Sequence, residues 1–349
     1  MPTLTIDGQD IQVQPGTTVI QAAEKVGIYI PRYCYHPGLS VAGSCRMCLV
    51  KVENRPKLEI SCNTAVADGM QVSTTCEEVR QARKSMLEFL LTNHPLDCPV
   101  CDQSGECDLQ NFYMLYGRYK SRFLEDKIKR RKAYPLGPRV ILDQERCILC
   151  SRCTRFTEEI SGTHELGIFN RGHRSVVDLS PGKELDNPYS GNVIDICPVG
   201  ALTEREFRFK CRVWYLSTRD SICPGCSRGC NITIHYNASQ RSYKAGGRRI
   251  QRIKPRFNAE VNRWWMCDEG RFGYTFVDEN RIESPYLRQG GTLQSSDWET
   301  AIHQVATVLN AALEKFGPAS IGLIVSPQLA NEELYLIRKI FGEGVEPSS

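Results

Sequence analysis

Hydrophobic positions change their period several times along the chain. Residues 3 to 13 alternate apolar and polar around Gly8, the pattern of two strands joined by a tight turn. Pro15-Gly16-Thr17-Thr18 then opens a helix through about Val26, which Gly27 closes. After a cysteine-rich loop at 34–48, LVKVEN reads as a strand and Val72 begins another extended piece. This order predicts a small sheet with one packed helix. Thr75 and Glu78 have capping-box spacing, and Val79, Ala82, Met86, Leu87, Leu90 and Leu91 recur at helical intervals, predicting an amphipathic helix over 76–92 that ends at Asn93-His94-Pro95. Pro135 and Pro138 punctuate the entry to a second cysteine module running to about Trp214. A third begins near Ile222, with strand-like segments around 231–236 and 248–253. From about Trp298 a helix (ETAIHQVATVLNAALEKF), an apolar strand (SIGLIV) and another helix (ANEELYLIRKIF) form the opening of an α/β unit.

A length of 349 residues predicts several small modules in series rather than one large core. The composition is ordinary except for its seventeen cysteines. The start, MPTLTIDGQDIQV, has no basic region followed by an apolar one, so export is not expected. Thiols that stay reduced favour metal ligation over disulfides. No apolar run approaches spanning length, the longest being stretches such as IGLIV at 321–325, so membrane association is expected only through partners. The net charge of +4 is small, and basic residues cluster at Arg118–Lys132 and Arg241–Arg256. Both clusters read first as solvated faces or connectors, next as subunit-docking surfaces, and last as nucleic-acid contacts.

Fifteen cysteines and one histidine fall into four sets. Cys34, Cys45, Cys48 and Cys62 are spaced C-x10-C-x2-C-x13-C. A [2Fe-2S] cluster needs four thiolates on two irons, and a long loop containing Gly38 and Gly43 can wrap it with N–H groups aimed at sulfur. His94, Cys98, Cys101 and Cys107, spaced H-x3-C-x2-C-x5-C, follow the predicted helix. A neutral imidazole in place of a thiolate removes one negative charge, which raises a cluster's reduction potential. Cys147, Cys150 and Cys153 form a C-x2-C-x2-C triplet with Cys197 in a remote Cys-Pro turn, the most specific of the patterns for a [4Fe-4S] cluster. Cys223, Cys226, Cys230 and Cys267 are spaced C-x2-C-x3-C-x36-C. The fourth set resembles the N-terminal [4Fe-4S] site of molybdopterin oxidoreductases, in which a basic residue follows a C-x-x-G turn, here Arg271. Zinc is the competing metal at every set, most strongly at the second and least at the third. Cys76 and Cys211 remain, each expected to be a small buried residue.

The segments SCRMCLVKVE, NHPLDCPVCDQSGECDLQ, RCILCSRCTRF, GNVIDICPVGAL and CPGCSRGCN, in this order, resemble the large iron–sulfur subunit of respiratory complex I, the 75-kDa subunit of mitochondria and its bacterial counterpart. The resemblance spans about residues 1 to 275 and is most specific through Leu202. It implies an α+β multidomain protein carrying one [2Fe-2S] and three [4Fe-4S] clusters. The expected series starts with a ferredoxin-like β-grasp [2Fe-2S] domain (1–78), followed by a helical [4Fe-4S] domain whose ligands are one histidine and three cysteines (79–119). A [4Fe-4S] ferredoxin-like domain (138–215), a molybdopterin-oxidoreductase-type [4Fe-4S] domain (216–272) and the start of an α/β domain (273–349) complete it. In that family electrons removed from NADH by a flavin-bearing partner pass along the clusters toward quinone. The implied partners are therefore that NADH-binding subunit and other peripheral-arm subunits, and the implied location is the cytoplasmic side of the bacterial inner membrane. Only some members keep the fourth site. Members continue into a large molybdopterin-oxidoreductase-like region, whereas this chain ends about eighty residues after Cys267, so no molybdopterin site is expected.

No general acid, base or nucleophile is needed for one-electron relay, and no G-x-G-x-x-G or P-loop is evident, which assigns flavin and nicotinamide sites to a partner. The rival readings are the equivalent subunit of an NAD-linked hydrogenase or formate dehydrogenase, an iron-only hydrogenase, and a zinc-stabilised scaffold or nucleic-acid binder. An iron-only hydrogenase would need a further cysteine set, and none follows Cys267.

Overall fold

The computed structural model describes residues 1–238, 248–326 and 329–342. They form two compact units, Met1–Ser221 with Cys230–Phe272, and Ile222–Gly229 with Gly273–Ser349.

The first unit opens with β1 (Thr3–Ile6) and β2 (Gln9–Gln12), paired antiparallel with Ile6 opposite Gln9. Asp7 and Gly8 between them both have positive φ (46° and 84°), the left-handed pair that a two-residue hairpin turn requires. Thr18 caps α1 (Val19–Lys25), its N–H donating to Gln21 Oε1 at 3.0 Å, and Gly27 ends the helix at φ 74°. β3 (Leu49–Val52), β4 (Glu59–Ile60) and β5 (Met70–Ser73) complete a mixed sheet of order β2-β1-β5-β3-β4, with β1 and β5 parallel. Leu4, Ile6, Val50 and Val72 from the sheet pack with Val19, Ile20 and Ala23 of α1. The sheet gripping one helix is the β-grasp arrangement expected.

α2 (Glu77–Leu91) falls where its periodicity predicts, but its cap does not. Cys76, not Thr75, is the N-cap and makes no side-chain cap bond; the start one residue later puts Val79 at N3, and Glu78 pairs with Lys51 on β3 at 3.1 Å. α3 (Asp108–Tyr116) packs on α2. The basic stretch that follows is a latched connector. Arg118 and Arg122 reach Glu88, Lys132 reaches Glu145, and Lys127 Nζ donates to the carbonyls of Leu91 (2.7 Å) and Thr92 (3.0 Å). A cation there satisfies the open end of α2 and its dipole together. Of the second basic cluster, 241–247 lie outside the described residues, while Arg252 and Lys254 pair with Glu106.

β6 (Tyr134–Pro135), β7 (Val140–Leu142), α4 (Arg152–Glu159), the hairpin β8 (Leu166–Phe169) and β9 (Val176–Leu179), α5 (Asn192–Ile196) and β10 (Leu202–Glu204) surround a second core. That core runs without a break from Leu142, Phe156, Leu185 and Leu202 to Tyr33, Met47, Leu87 and Phe112 of the preceding segments. β11 (Ser217–Ile222), β12 (Asn231–Tyr236) and β13 (Ile250–Pro255) form a three-stranded sheet in that order with β12 and β13 antiparallel, and α6 (Asp268–Phe272) follows. The second unit contains the hairpin β14 (Tyr286–Gln289) and β15 (Thr292–Ser295), then α7 (Trp298–Phe316) and α8 (Asn331–Phe341). Asp297 caps α7 by accepting from Thr300 N–H at 2.8 Å. SIGLIV, expected as a strand, joins no ladder, and Ile324 is fully exposed. A parallel strand is stable only with neighbours to take its backbone bonds, and among the described residues no strand pairs with it. Among those residues no helix is long and apolar enough to cross a membrane.

Candidate metal centres

The loop between α1 and β3 carries Cys34, Cys45 and Cys48, and Cys62 follows β4. Gly43 (φ 62°) and Arg46 (φ 57°) are both left-handed and turn this loop tightly around its cysteines. The structure places the four sulfurs in two close pairs, Cys34 with Cys45 and Cys48 with Cys62. Within each pair the neighbouring thiol lowers one cysteine, Cys34 and Cys48. The other, Cys45 and Cys62, is raised by that same partner and then by burial. A metal centre taking all four as thiolates displaces the protons that the raised thiols hold.

His94 lies just beyond the end of α2, Cys98 begins a single 3₁₀ turn that Cys101 closes, and Cys107 is the N-cap of α3. All four line one cavity of about 280 Å³, which residues of the basic connector, including Tyr119, Phe123 and Lys127, also line. Burial, then the charge of Arg146, depresses the His94 imidazole to about 4, and its buried Nδ1 has no hydrogen-bond partner. A neutral ring with an unmet polar atom is the form that ligates metals. Burial pushes the Cys107 thiol up to about 11, opposed by the amides of Gln110 and Leu109 in the first turn of α3.

Cys147, Cys150, Cys153 and Cys197 line a second, small cavity of about 20 Å³. Leu149 (φ 53°) and Ser151 (φ 58°) are left-handed and alternate with the cysteines. This strained conformation is rare for such residues and accumulates at functional loops. Leu149 N–H donates to Cys147 Sγ at 3.4 Å. Burial raises Cys147 and Cys197 to about 12, and Cys153 well above its ordinary value, with the other three sulfurs adding repulsion at Cys153. Four such groups ionise together only beside concentrated positive charge.

Of the fourth set, Cys230 and Cys267 belong to the first unit and Cys223 and Cys226 to the second. Around Cys267 the chain is latched to α5. Met266 and Asn192 exchange two hydrogen bonds (2.8 and 3.1 Å), Asp268 accepts from Gly191 N–H at 2.8 Å, and Arg271 pairs with Asp195. Arg271, read from the sequence as a basic residue following the turn, is 1 % exposed and also donates to the Ile253 carbonyl. Cys211 is buried as expected; Cys76, at the start of α2, is only half-buried.

Several residues that carry no cysteine signal tie the sets together. Arg146, beside Cys147, donates to both oxygens of Asp97, beside Cys98 (2.6 and 2.9 Å), and to Asp143. Asp108 N–H donates to Pro198 O at 3.0 Å. A Cβ at Gly200 would strike Cys101 Sγ and lie 3.0 Å from Gln103 Cβ, so only glycine fits this turn after Cys197. The arginines punctuating R-C-I-L-C-S-R-C-T-R at 146, 152 and 155 were a legible signal, since an arginine held inside a cysteine cluster has a charge to answer. Among the described residues no group of three or more His, Cys, Asp or Glu side chains is spaced to hold a single ion. A cluster distributes its ligands over several irons, and thiolates with one imidazole are the donors clusters use.

Four family models match in order. They are the 2Fe-2S iron-sulfur cluster binding domain (residues 1–77), the NADH-ubiquinone oxidoreductase-G iron-sulfur binding region (83–122), the NADH-quinone oxidoreductase subunit 3 ferredoxin-like domain (137–203) and the molybdopterin oxidoreductase Fe4S4 domain (216–279). Over 326 residues the chain is 42% identical to the NADH-quinone oxidoreductase G subunit of Rickettsia bellii, covering 93% of this chain and 46% of that protein. Over 303 residues it is 43% identical to the NADH-ubiquinone oxidoreductase 75 kDa subunit of Reclinomonas americana, covering 87% and 42%. It spans about half the length of the curated relatives it matches, or less. A chain of a crystal structure of NAD+-reducing [NiFe]-hydrogenase in the H2-reduced state is also similar, with a TM-score of 0.55 and 33% identity over 61% of this chain and 91% of that one. By its ordered domains and these relatives, the chain belongs to the family of NADH-quinone oxidoreductase G subunits, which are iron–sulfur proteins.

Proposed function

We propose that this chain is the electron-relay subunit of an NADH:quinone oxidoreductase, holding one [2Fe-2S] cluster on Cys34, Cys45, Cys48 and Cys62 and three [4Fe-4S] clusters on the other three sets. The observation that carries it is the third set, where four thiols line one small cavity and burial raises Cys147, Cys153 and Cys197 together. When bound, such clusters accept and release single electrons. The chain's own residues supply the rest: thiolates and His94 as donors, backbone N–H groups such as that of Leu149 directed at sulfur, and a dry setting that holds potentials apart from those in water. The five-domain division at 1–78, 79–119, 138–215, 216–272 and 273–349 belongs to the same reading. So do a flavin- and NADH-binding partner and a peripheral place on the cytoplasmic face of the bacterial inner membrane.

The test is anaerobic purification with iron, sulfide and zinc quantified, then EPR of the reduced protein. Four clusters give about fourteen irons and matching acid-labile sulfide per chain. A colourless, zinc-loaded protein refutes the reading. The likeness to a chain of an NAD+-reducing hydrogenase favours a second reading, the corresponding relay subunit of such an enzyme. The partners that co-purify separate the two.

A further inference from the structure

α4 begins inside the third cysteine set and carries Arg152, Arg155 and Glu159 at i, i+3 and i+7, a spacing that lines them along one stripe. The stripe meets the loop of the first set. Arg155 Nη2 donates to the Cys34 carbonyl at 2.6 Å and to the Cys150 carbonyl at 3.4 Å, so one guanidinium group grips a candidate ligand from each set. Its Nη1 donates to the Ser40 carbonyl, and Glu159 accepts from Ser40 N–H at 2.8 Å. Arg152 donates to the carbonyls of Tyr35 (2.7 Å) and Ile196 (3.1 Å), the neighbours of Cys34 and Cys197. Both arginines are buried, at 9 % and 8 % exposure. Among the described residues their partners are carbonyl and hydroxyl oxygens rather than carboxylates.

Carbonyl dipoles answer only part of a buried guanidinium charge. Four thiolates around an iron–sulfide core leave each site net negative, and more so when reduced. The two missing halves meet here. We propose that Arg155, with Arg152 beside it, is a cationic positioning pair shared by the first and third cluster sites, fixing the gap between Cys34 and Cys150 and holding both reduction potentials up together. The proposal rests on the cluster reading above. The planar fork matters as much as the charge, because a guanidinium holds its donors in fixed directions whereas an ammonium's rotate freely on a flexible stem.

The experiment is an EPR-monitored redox titration of the full chain, purified with its clusters, beside Arg155→Met and Arg155→Lys. In Arg155→Met the midpoints of the first and third clusters both fall, each by about 59 mV for a ~tenfold change in a one-electron equilibrium, while that of the His94-containing site stays. Arg155→Lys returns the midpoints toward the parent values but leaves a broadened distance distribution between the two reduced clusters by pulsed EPR. Loss of stability with unmoved midpoints, or movement of only one, overturns the proposal. If Arg155→Met does not retain its clusters, Arg155→Gln, which keeps a donor without the charge, carries the same test. A parent chain without cluster signals would instead bring down the cluster reading beneath it.

Discussion

Replacing Arg271 by Met tests whether the last cysteine of the fourth set is anchored by the latch on α5. Arg271 is almost fully buried, ion-paired to Asp195, and bonded to the Ile253 carbonyl at 3.3 Å. Asp195 sits on α5 two residues before Cys197, and Arg271 lies four residues after Cys267. Truncating one partner of a buried pair costs about 3–5 kcal/mol, because the remaining charge is stranded. For a unit of this size, at about 2–4 °C per kcal/mol, that is a melting point lower by roughly 6–20 °C. The assay is far-UV circular dichroism of the full chain on heating, at a fixed scan rate. Pairing Arg271→Met with Asp195→Asn removes the stranded carboxylate and is expected to recover at least half of the loss. The reasoning fails if the single variant melts within about 2 °C of the parent, or if the double variant is no better than the single.

Three further outcomes are expected. His94→Cys adds a negative charge to the second site and lowers the midpoint of its cluster; an unchanged midpoint in a redox titration removes His94 from the ligand set. Gly200→Val drives side-chain carbons into Cys101 Sγ and Gln103, costing about 1–3 kcal/mol and depleting the second site's EPR signal while that of the [2Fe-2S] site persists. Equal retention of both signals would refute that contact. The metal-free chain loses stability in acid: His36 and His94 are depressed to about 4 and His235 to about 3, each chiefly by burial, so the unfolded chain binds more protons below about pH 6.5. Glu204, raised by burial to about 7, works in the opposite sense. Asp102, Asp108 and Asp268, raised by burial, side with Glu204, but the three histidines titrate across the whole interval, so denaturant midpoints fall from pH 7 to 4, and a flat profile would contradict the burial of these histidines.

The candidate donor sets were legible in the sequence because spacing along the chain is a local property. C-x2-C-x2-C places three sulfurs in one loop wherever that loop is packed, and the periodicity of α2 survives any tertiary setting. The cap of α2 was misread because the helix starts one residue later than the Thr75–Glu78 spacing requires, which leaves Glu78 to pair with Lys51, a residue that only the folded sheet brings near. SIGLIV was misread because apolar content does not supply a neighbouring strand. The basic cluster at 118–132 was read as a face or connector, and the structure adds what it connects, through Glu88, Glu145 and the open carbonyls of α2.

By itself the sequence determined which side chains can offer sulfur or nitrogen, and how their spacing sorts them into four candidate groups, since both follow from residue identity and spacing along one chain. Tertiary structure alone decided which groups adjoin. Cys34 meets Cys150 through Arg155, Cys98 approaches Cys147 through Asp97 and Arg146, and Cys101 abuts the turn after Cys197 through a missing side chain at Gly200. Those neighbours lie tens of residues apart, and their meeting depends on a shared apolar core and on buried charges that only compact packing forces to find partners.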